Sequence, residues 1–409
     1  MNAIPMKKQA SARHLLGVAA LIAVSGVQAA SGDSMFSISG FGTVGLVATD
    51  TDDAEYVVYG QRSGGRKQAS AEVDSKLAVQ LGVKFTSMFS ATVQALSKQN
   101  GDGNFKPRAE WAFLKAQVTP DLAIRVGRVG APLFAVSDFR DVGFANTWLR
   151  PPQDVYGQVP ISHIDGADLS YQSSFGDTTL TVQLVGGKSK EVVGGTDVEA
   201  TDFRGVNATV ELGNGMTLRV GHVEAKLTVK SASLAGLVGL LRQLPFASVG
   251  NEIDPTRKDS SFSGVGLAYD EGNWLVNAEY TKRKTDSIIP STTGWFLTVG
   301  HRLGKFTPYA TLSELKRDDT NVNNAIPPGV AIPGVTADLR ALVEGTVNSQ
   351  RTDQKTTALG LRWDLMPSVA MKAQWERVKP NGTGLFVART PGWGNERVNV
   401  LSLSVDFVF

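Results

Sequence analysis

Apolar and polar positions alternate in short runs along most of the chain. Residues 76–85 read K-L-A-V-Q-L-G-V-K-F. Leu77, Val79, Leu81, Val83 and Phe85 fall on one face. Lys76, Gln80 and Lys84 fall on the other, with small Ala78 and Gly82 between them. A two-residue period predicts a strand with one apolar face. The pattern recurs at 36–49, 89–98, 109–118, 122–128, 166–173, 178–186, 202–212 and 216–229. It continues at 262–270, 274–283, 295–303, 306–316, 357–365, 369–378 and 397–409. Sixteen strands are predicted, an even number.

The connections alternate as well. Short ones carry Gly, Asn, Asp and Pro, the residues that tight turns require: Thr119-Pro120-Asp121, Gly213-Asn214-Gly215, Gly304-Lys305, Met366-Pro367-Ser368. Between them lie mostly long polar stretches, at 50–75, 129–165, 230–261, 317–356 and 379–396. A soluble sandwich has no reason to keep that rhythm. An all-β, antiparallel, up-and-down barrel crossing a membrane does, with short periplasmic turns and long external loops.

The polar face tests this expectation. Parity places Arg125, Arg219, Asn277, Glu279, Arg362, Asp364, Lys372 and Glu376 opposite the apolar positions. In a closed soluble core each unpaired ion would cost several kcal/mol, whereas a hydrated lumen removes that cost. Aromatics gather near strand ends: Phe36, Phe89, Trp274, Phe306, Trp363, Phe407 and Phe409 on the turn side, Trp295 and Trp375 on the loop side. Paired interfacial girdles predict that distribution.

Composition narrows the chemistry. The 409 residues include no cysteine, which excludes disulfides, thiolate metal sites and cysteine nucleophiles. Four histidines leave little for a histidine metal centre, and no cofactor is expected. Lys plus Arg number 41 against 39 Asp plus Glu, so no polybasic field argues for nucleic acid. Basic Lys7, Lys8 and Arg13 precede an apolar run at 15–27 and small residues at Ala29 and Ala30. Residues 1–29 therefore read as a cleaved signal peptide, and 30–409 as the barrel. Met1 and Met6 are both candidate starts. The longest later apolar stretch, 231–244, is too short to span a bilayer as a helix and contains Arg242.

The chain ends V-N-V-L-S-L-S-V-D-F-V-F, with Leu401, Leu403, Val405, Phe407 and Phe409 on one face. This resembles the closing strand of Gram-negative outer-membrane proteins. That resemblance implies that Phe407 and Phe409 form the signal read by the barrel-assembly machinery. Residues 39–46 (S-G-F-G-T-V-G-L), 76–85, 125–128 (R-V-G-R) and 294–309 are similar to the general diffusion porins, and the order and spacing match over the whole mature chain. The resemblance implies a sixteen-stranded outer-membrane barrel, usually a homotrimer, set in lipid and lipopolysaccharide. Each subunit would pass small hydrophilic solutes and ions without cofactor or energy input.

In that family the third long loop folds into the lumen. Here it is 129–165, carrying Asp138, Arg140, Asp141, Arg150, Asp154 and Tyr156 as constriction candidates. Pro132, Pro151, Pro152 and Pro160 stiffen it, and Phe134, Phe139, Phe144 and Trp148 supply groups to pack on the wall. The facing wall is assigned Lys76, Gln80, Lys84, Arg125, Arg128, Arg219, Glu279, Arg362 and Lys372. The wall's basic excess predicts a slight anion preference. The loop lacks the Pro-Glu-Phe element of some members, and Gln80 stands where some carry arginine, so their transverse field does not carry over.

Two loops carry helical spacing: Leu234, Leu237, Val238 and Leu241 before Pro245, and Leu339, Leu342 and Val343. Packing of loops on one another accounts for them more simply than a lid. Two other functions compete. His163 beside Ser162, near Asp165 and Ser170, evokes a barrel-borne hydrolase, but no nucleophile elbow accompanies them. A substrate-specific channel for sugars, carboxylates or anions would show an aromatic track or a one-sign ladder, and neither is evident.

Overall fold

The computed structural model describes residues 35–318, 322–332, 335–350 and 352–409. The expected signal peptide lies outside them. The barrel strands are β1 Phe36–Thr49, β2 Lys76–Lys84, β3 Phe89–Lys98, β4 Arg108–Gln117, β5 Leu122–Gly130 and β6 His163–Phe175. Next come β7 Thr178–Val193, β8 Thr196–Glu211, β9 Met216–Lys230, β10 Lys258–Glu271, β11 Trp274–Thr285, β12 Thr292–His301 and β13 Phe306–Arg317. A separate two-stranded pair, β14 Ala331–Ile332 and β15 Val335–Asp338, decorates a loop. The barrel resumes with β16 Gln354–Met366, β17 Val369–Pro380 and β18 Val398–Val408.

Sixteen antiparallel strands close into one barrel as β18 pairs with β1, Val405 opposite Val44 and Leu403 opposite Leu46. Closure leaves no free strand edge, which is what lets a sheet sit in lipid with its backbone groups satisfied. All sixteen predicted strands are present.

Parity holds along them. Leu403 is half exposed on the outside while Ser404 beside it is 4% exposed inside. Val126, Leu184, Val220, Val265, Tyr280 and Leu361 also point outward. The apolar band ends where outward ion pairs begin, as at Arg204–Glu224 (2.6 Å), one row above Val206 and His222.

The strand bounds expected at 178–186 and 202–212 are too short. Strands β7 and β8 run on beyond the apolar band to a two-residue turn at Gly194 and Gly195, both with positive φ. Lys190–Asp197 (3.0 Å) and Lys230–Glu199 (2.6 Å) line this extension. Its charged exterior gives no apolar alternation, so the periodicity is silent there.

Of the four buried apolar clusters among the described residues, two bear on the pore. One is inside the barrel and joins Leu133, Phe134, Val155 and Tyr156 of the third loop to Phe203, Phe262 and Phe296 of the wall. The other is at the loop end, where α2 (Ala232–Gln243), α3 (Ala247–Ile253) and α4 (Leu339–Asn348) bury Leu237, Leu241, Ile253, Leu339 and Val343 with Ile288 and Ile326. The two helices expected from spacing are α2 and α4, and they pack with neighbouring loops.

Candidate pore and its inward loop

The chain leaves β5 and turns into the lumen. The Ala131 N–H donates to the Ser162 carbonyl (3.0 Å), pinning the two ends of the loop together. Between them run two short 3₁₀ turns, Ser137–Phe139 and Gly143–Ala145, and the single-turn helix α1, Gln153–Tyr156. Such irregular backbone leaves many carbonyls unpaired. Inside a barrel they need donors from the wall.

Wall cations supply them. Lys372 Nζ donates to the carbonyls of Gly143 (2.6 Å), Asn146 (2.7 Å) and Trp148 (2.7 Å) and pairs with Asp406 (3.1 Å). Arg362 donates to Phe144 (2.7 Å) and Asn146 (2.9 Å). Arg219 donates to Pro132 and Leu133. Side chains lock the loop further. Trp148 Nε1 donates to Thr298 Oγ1 (2.7 Å), and the Ala135 N–H donates to Glu279 (3.0 Å), which also accepts from Tyr156.

These contacts correct the expected wall. Arg219, Arg362 and Lys372 face the lumen, but they hold loop backbone rather than water. Arg128 does not face the lumen. It lies three residues from Arg125 on a strand with no bulge, hence on the opposite face, paired with Asp165 (2.7 Å). The basic excess behind the expected anion preference is therefore mostly engaged.

The loop's own charges divide in the same way. Arg150 is buried between Asp74 (2.7 Å) and Glu376, and also donates to Ser402 Oγ (2.6 Å). Burial alone would raise the Asp141 carboxyl, but Lys98 (2.7 Å) and Lys76 (3.2 Å) outweigh it and hold the group well below the usual carboxylate range. Asp154 is 1% exposed and accepts from Ser313 Oγ (2.6 Å). Burial without a cation pushes its carboxyl up to about 6. Arg140 sits beside Asp141 in a recess of about 120 Å³.

Asp138 alone among the loop's acids is exposed, on a cavity of about 860 Å³ toward the turn end. Across that cavity Arg125 forms a double hydrogen bond with Asp168 (Nε to Oδ1, 2.9 Å) and lies 5.2 Å from the centroid of the Phe113 ring. Lys115, Glu211 and Gln172 also line it. Gln80 accepts from Gln94 (3.0 Å), and Lys84 is exposed near the turn end.

Sequence reasoning missed Lys98, Asp168 and Asp74 as partners. Lys98 and Asp168 were reachable by extending strand parity. Asp74 lies in an aperiodic loop with no such signal.

The comparisons agree with this architecture. The sequence profile of Gram-negative porins matches residues 17–321. No curated protein matches the chain. Among solved structures the fold is similar to Salmonella typhi OmpF in complex with daunomycin (TM-score 0.55, 12% identity, 91% of this chain and 97% of that one). It is also similar to the outer-membrane channel DcaP of Acinetobacter baumannii (0.53, 11%, 92% and 99%). A third neighbour is the trimer form of Vibrio cholerae OmpT, an outer membrane protein (0.52, 10%, 92% and 100%). With the profile covering most of its length, the chain belongs to the Gram-negative porin family and forms an outer-membrane diffusion channel.

Proposed function

We propose that this channel passes small hydrophilic solutes and ions past a constriction formed by the 129–165 loop, with Asp138 on the loop facing Arg125 and Asp168 on the wall. The observation that carries this reading is the loop's attachment: its backbone is bonded to wall residues on both sides of the lumen, from Arg219 to Lys372. A loop held that way narrows the passage without needing to move. The cavity beside it is lined by more acids than bases, and among the described residues Lys115, Asp121, Asp138 and Glu211 on it form no ion pair. Selectivity is therefore modest and tips toward cations. Single-channel conductance in planar bilayers, with reversal potentials in a salt gradient, tests both parts. A strong anion preference would refute the charge assignment.

The reading is non-enzymatic. Ser162 Oγ (3.2 Å) and Glu191 (3.3 Å) both meet His163 at Nδ1, and Nε2 is buried without a partner. A hydrolytic triad needs the carboxylate and the nucleophile on opposite ring nitrogens.

The same reading includes a homotrimer, in keeping with the trimer form of the OmpT neighbour. It includes Phe407 and Phe409 as the assembly signal, and export by cleavage of residues 1–29. Cross-linking of the purified protein, truncation of Phe409 and N-terminal sequencing of the mature chain test these in turn.

A further inference from the structure

The lumen changes character above the loop. Toward the loop end, the inward faces of β8, β9 and β10 become apolar. With α2 and the connection between β11 and β12 they enclose a recess of about 910 Å³. Phe203, Val223, Leu227 and Phe262 form its wall, and Leu237 and Ile288 its roof. Leu133, Gln158 and Ile161 of the inward loop also line it, so it lies against the loop that narrows the lumen. Phe203, Val223 and Phe262 pack under the inward loop, but Leu227, Val229 and Leu240 are only half-buried and still face the recess. The volume lies in the range of small-molecule sites, which combine apolar walls with a few placed polar groups.

The placed polar group is Arg283. It is the only charged residue among the described residues lining the recess, and it is 9% exposed. Its Nη1 donates to the Gln158 carbonyl and its Nη2 to the Pro290 carbonyl (2.9 Å), while Nε is buried without a hydrogen-bond partner. No carboxylate pairs with it among the described residues. The contrast with Arg150, buried between two carboxylates, is direct. A buried cation without a counter-charge is costly, and an incoming anion would remove that cost.

We infer that this recess is a binding site for amphipathic carboxylates, an apolar body lying on Leu227, Val229 and Leu240 and the carboxylate on Arg283. Such solutes would be held briefly on their way through, giving the channel a preference that size alone does not provide. The inference rests on the diffusion-channel reading, because the site is useful only on an open path.

The test uses 4-phenylbutyrate, with butyrate and 4-phenyl-1-butanol as controls for charge without body and body without charge. Added at the loop side of the full-length channel in a planar bilayer, 4-phenylbutyrate should reduce the single-channel current saturably. Neither control should do so at the same concentration. Arg283→Gln should raise the half-blocking concentration at least tenfold, with Arg283→Lys between it and the parent. Equilibrium dialysis of labelled 4-phenylbutyrate against nanodisc-embedded protein reads binding whether or not the channel conducts. Saturable binding in a protein that passes no ions would overturn the pore reading and leave the site standing. Ion conduction with no saturable block or binding overturns the site. Equal potency of the alcohol, or an unchanged Arg283→Gln channel that is folded by its heat-dependent gel mobility, overturns the role of the arginine.

Discussion

The ring of Phe409 lies directly over Gly40. The two residues exchange backbone hydrogen bonds, Gly40 N to Phe409 O (2.9 Å) and Phe409 N to Gly40 O (3.0 Å). A Cβ on Gly40 would overlap that ring and also the Ala78 carbonyl on the other side. Gly42 stands in the same relation to Phe407. The first and last strands thus close through two glycine platforms beneath two aromatic rings.

Gly40→Val should accordingly impair closure, read as loss of the heat-modifiable band on unboiled gels. In protein refolded in vitro, where no assembly signal is read, adding Phe409→Ala should restore it only in part, because the Ala78 carbonyl remains in the way. Full rescue would mean that the ring is the sole obstacle.

Leu403 faces lipid, and arginine there should cost on the order of 2–4 kcal/mol near the bilayer midplane. Its neighbour Ser404 is a poor control, since it is buried beside Asp406, to which its hydroxyl donates (3.3 Å). Gln172, exposed on the lumen cavity, is the better one, and Gln172→Arg should fold nearly as the parent does. Urea titration of refolded protein in lipid vesicles separates the two. Equal losses would contradict the assigned faces.

Asp138→Asn should shift the reversal potential toward anions, and Asp141→Asn should shift it much less. Asp138 is exposed on the cavity of about 860 Å³, whereas Asp141 sits with Lys76 and Lys98 in the separate recess of about 120 Å³, away from it. The Asp138 effect should shrink at high salt, as the Debye length falls from about 10 Å at 0.1 M to about 3 Å at 1 M. The reverse ranking would place the passage on the other side of the loop.

Asp154 gives the loop a pH dependence. Its carboxyl is raised from 3.8 to about 6 by burial, so the folded state holds a proton that the unfolded chain has already lost. The stabilisation is full below about pH 4 and disappears as pH rises through about 6. Protease accessibility of the loop should therefore increase between pH 5 and 7. Asp154→Asn, neutral throughout, should flatten that profile. A parent profile that is already flat would mean the carboxyl titrates normally.

The sixteen strands, their lipid-facing positions and the two loop helices were legible in the sequence, because each follows from local spacing. A strand in lipid must turn every second side chain outward, and the code for that is written within ten residues. The extension of β7 and β8 escaped because, above the lipid, charges replace the apolar members of the pattern. Which wall charges the inward loop engages escaped in a different way. Parity placed Lys372 and Arg362 on the lumen, and they are there. Only the folded chain brings Gly143 and Asn146 to them, from more than two hundred residues away. A charge in a barrel is free or spent according to which backbone reaches it. That is a property of the loop's path through space, and no periodicity encodes it. Alternation determined the barrel; the inward path of one loop decided which of its charges a solute meets.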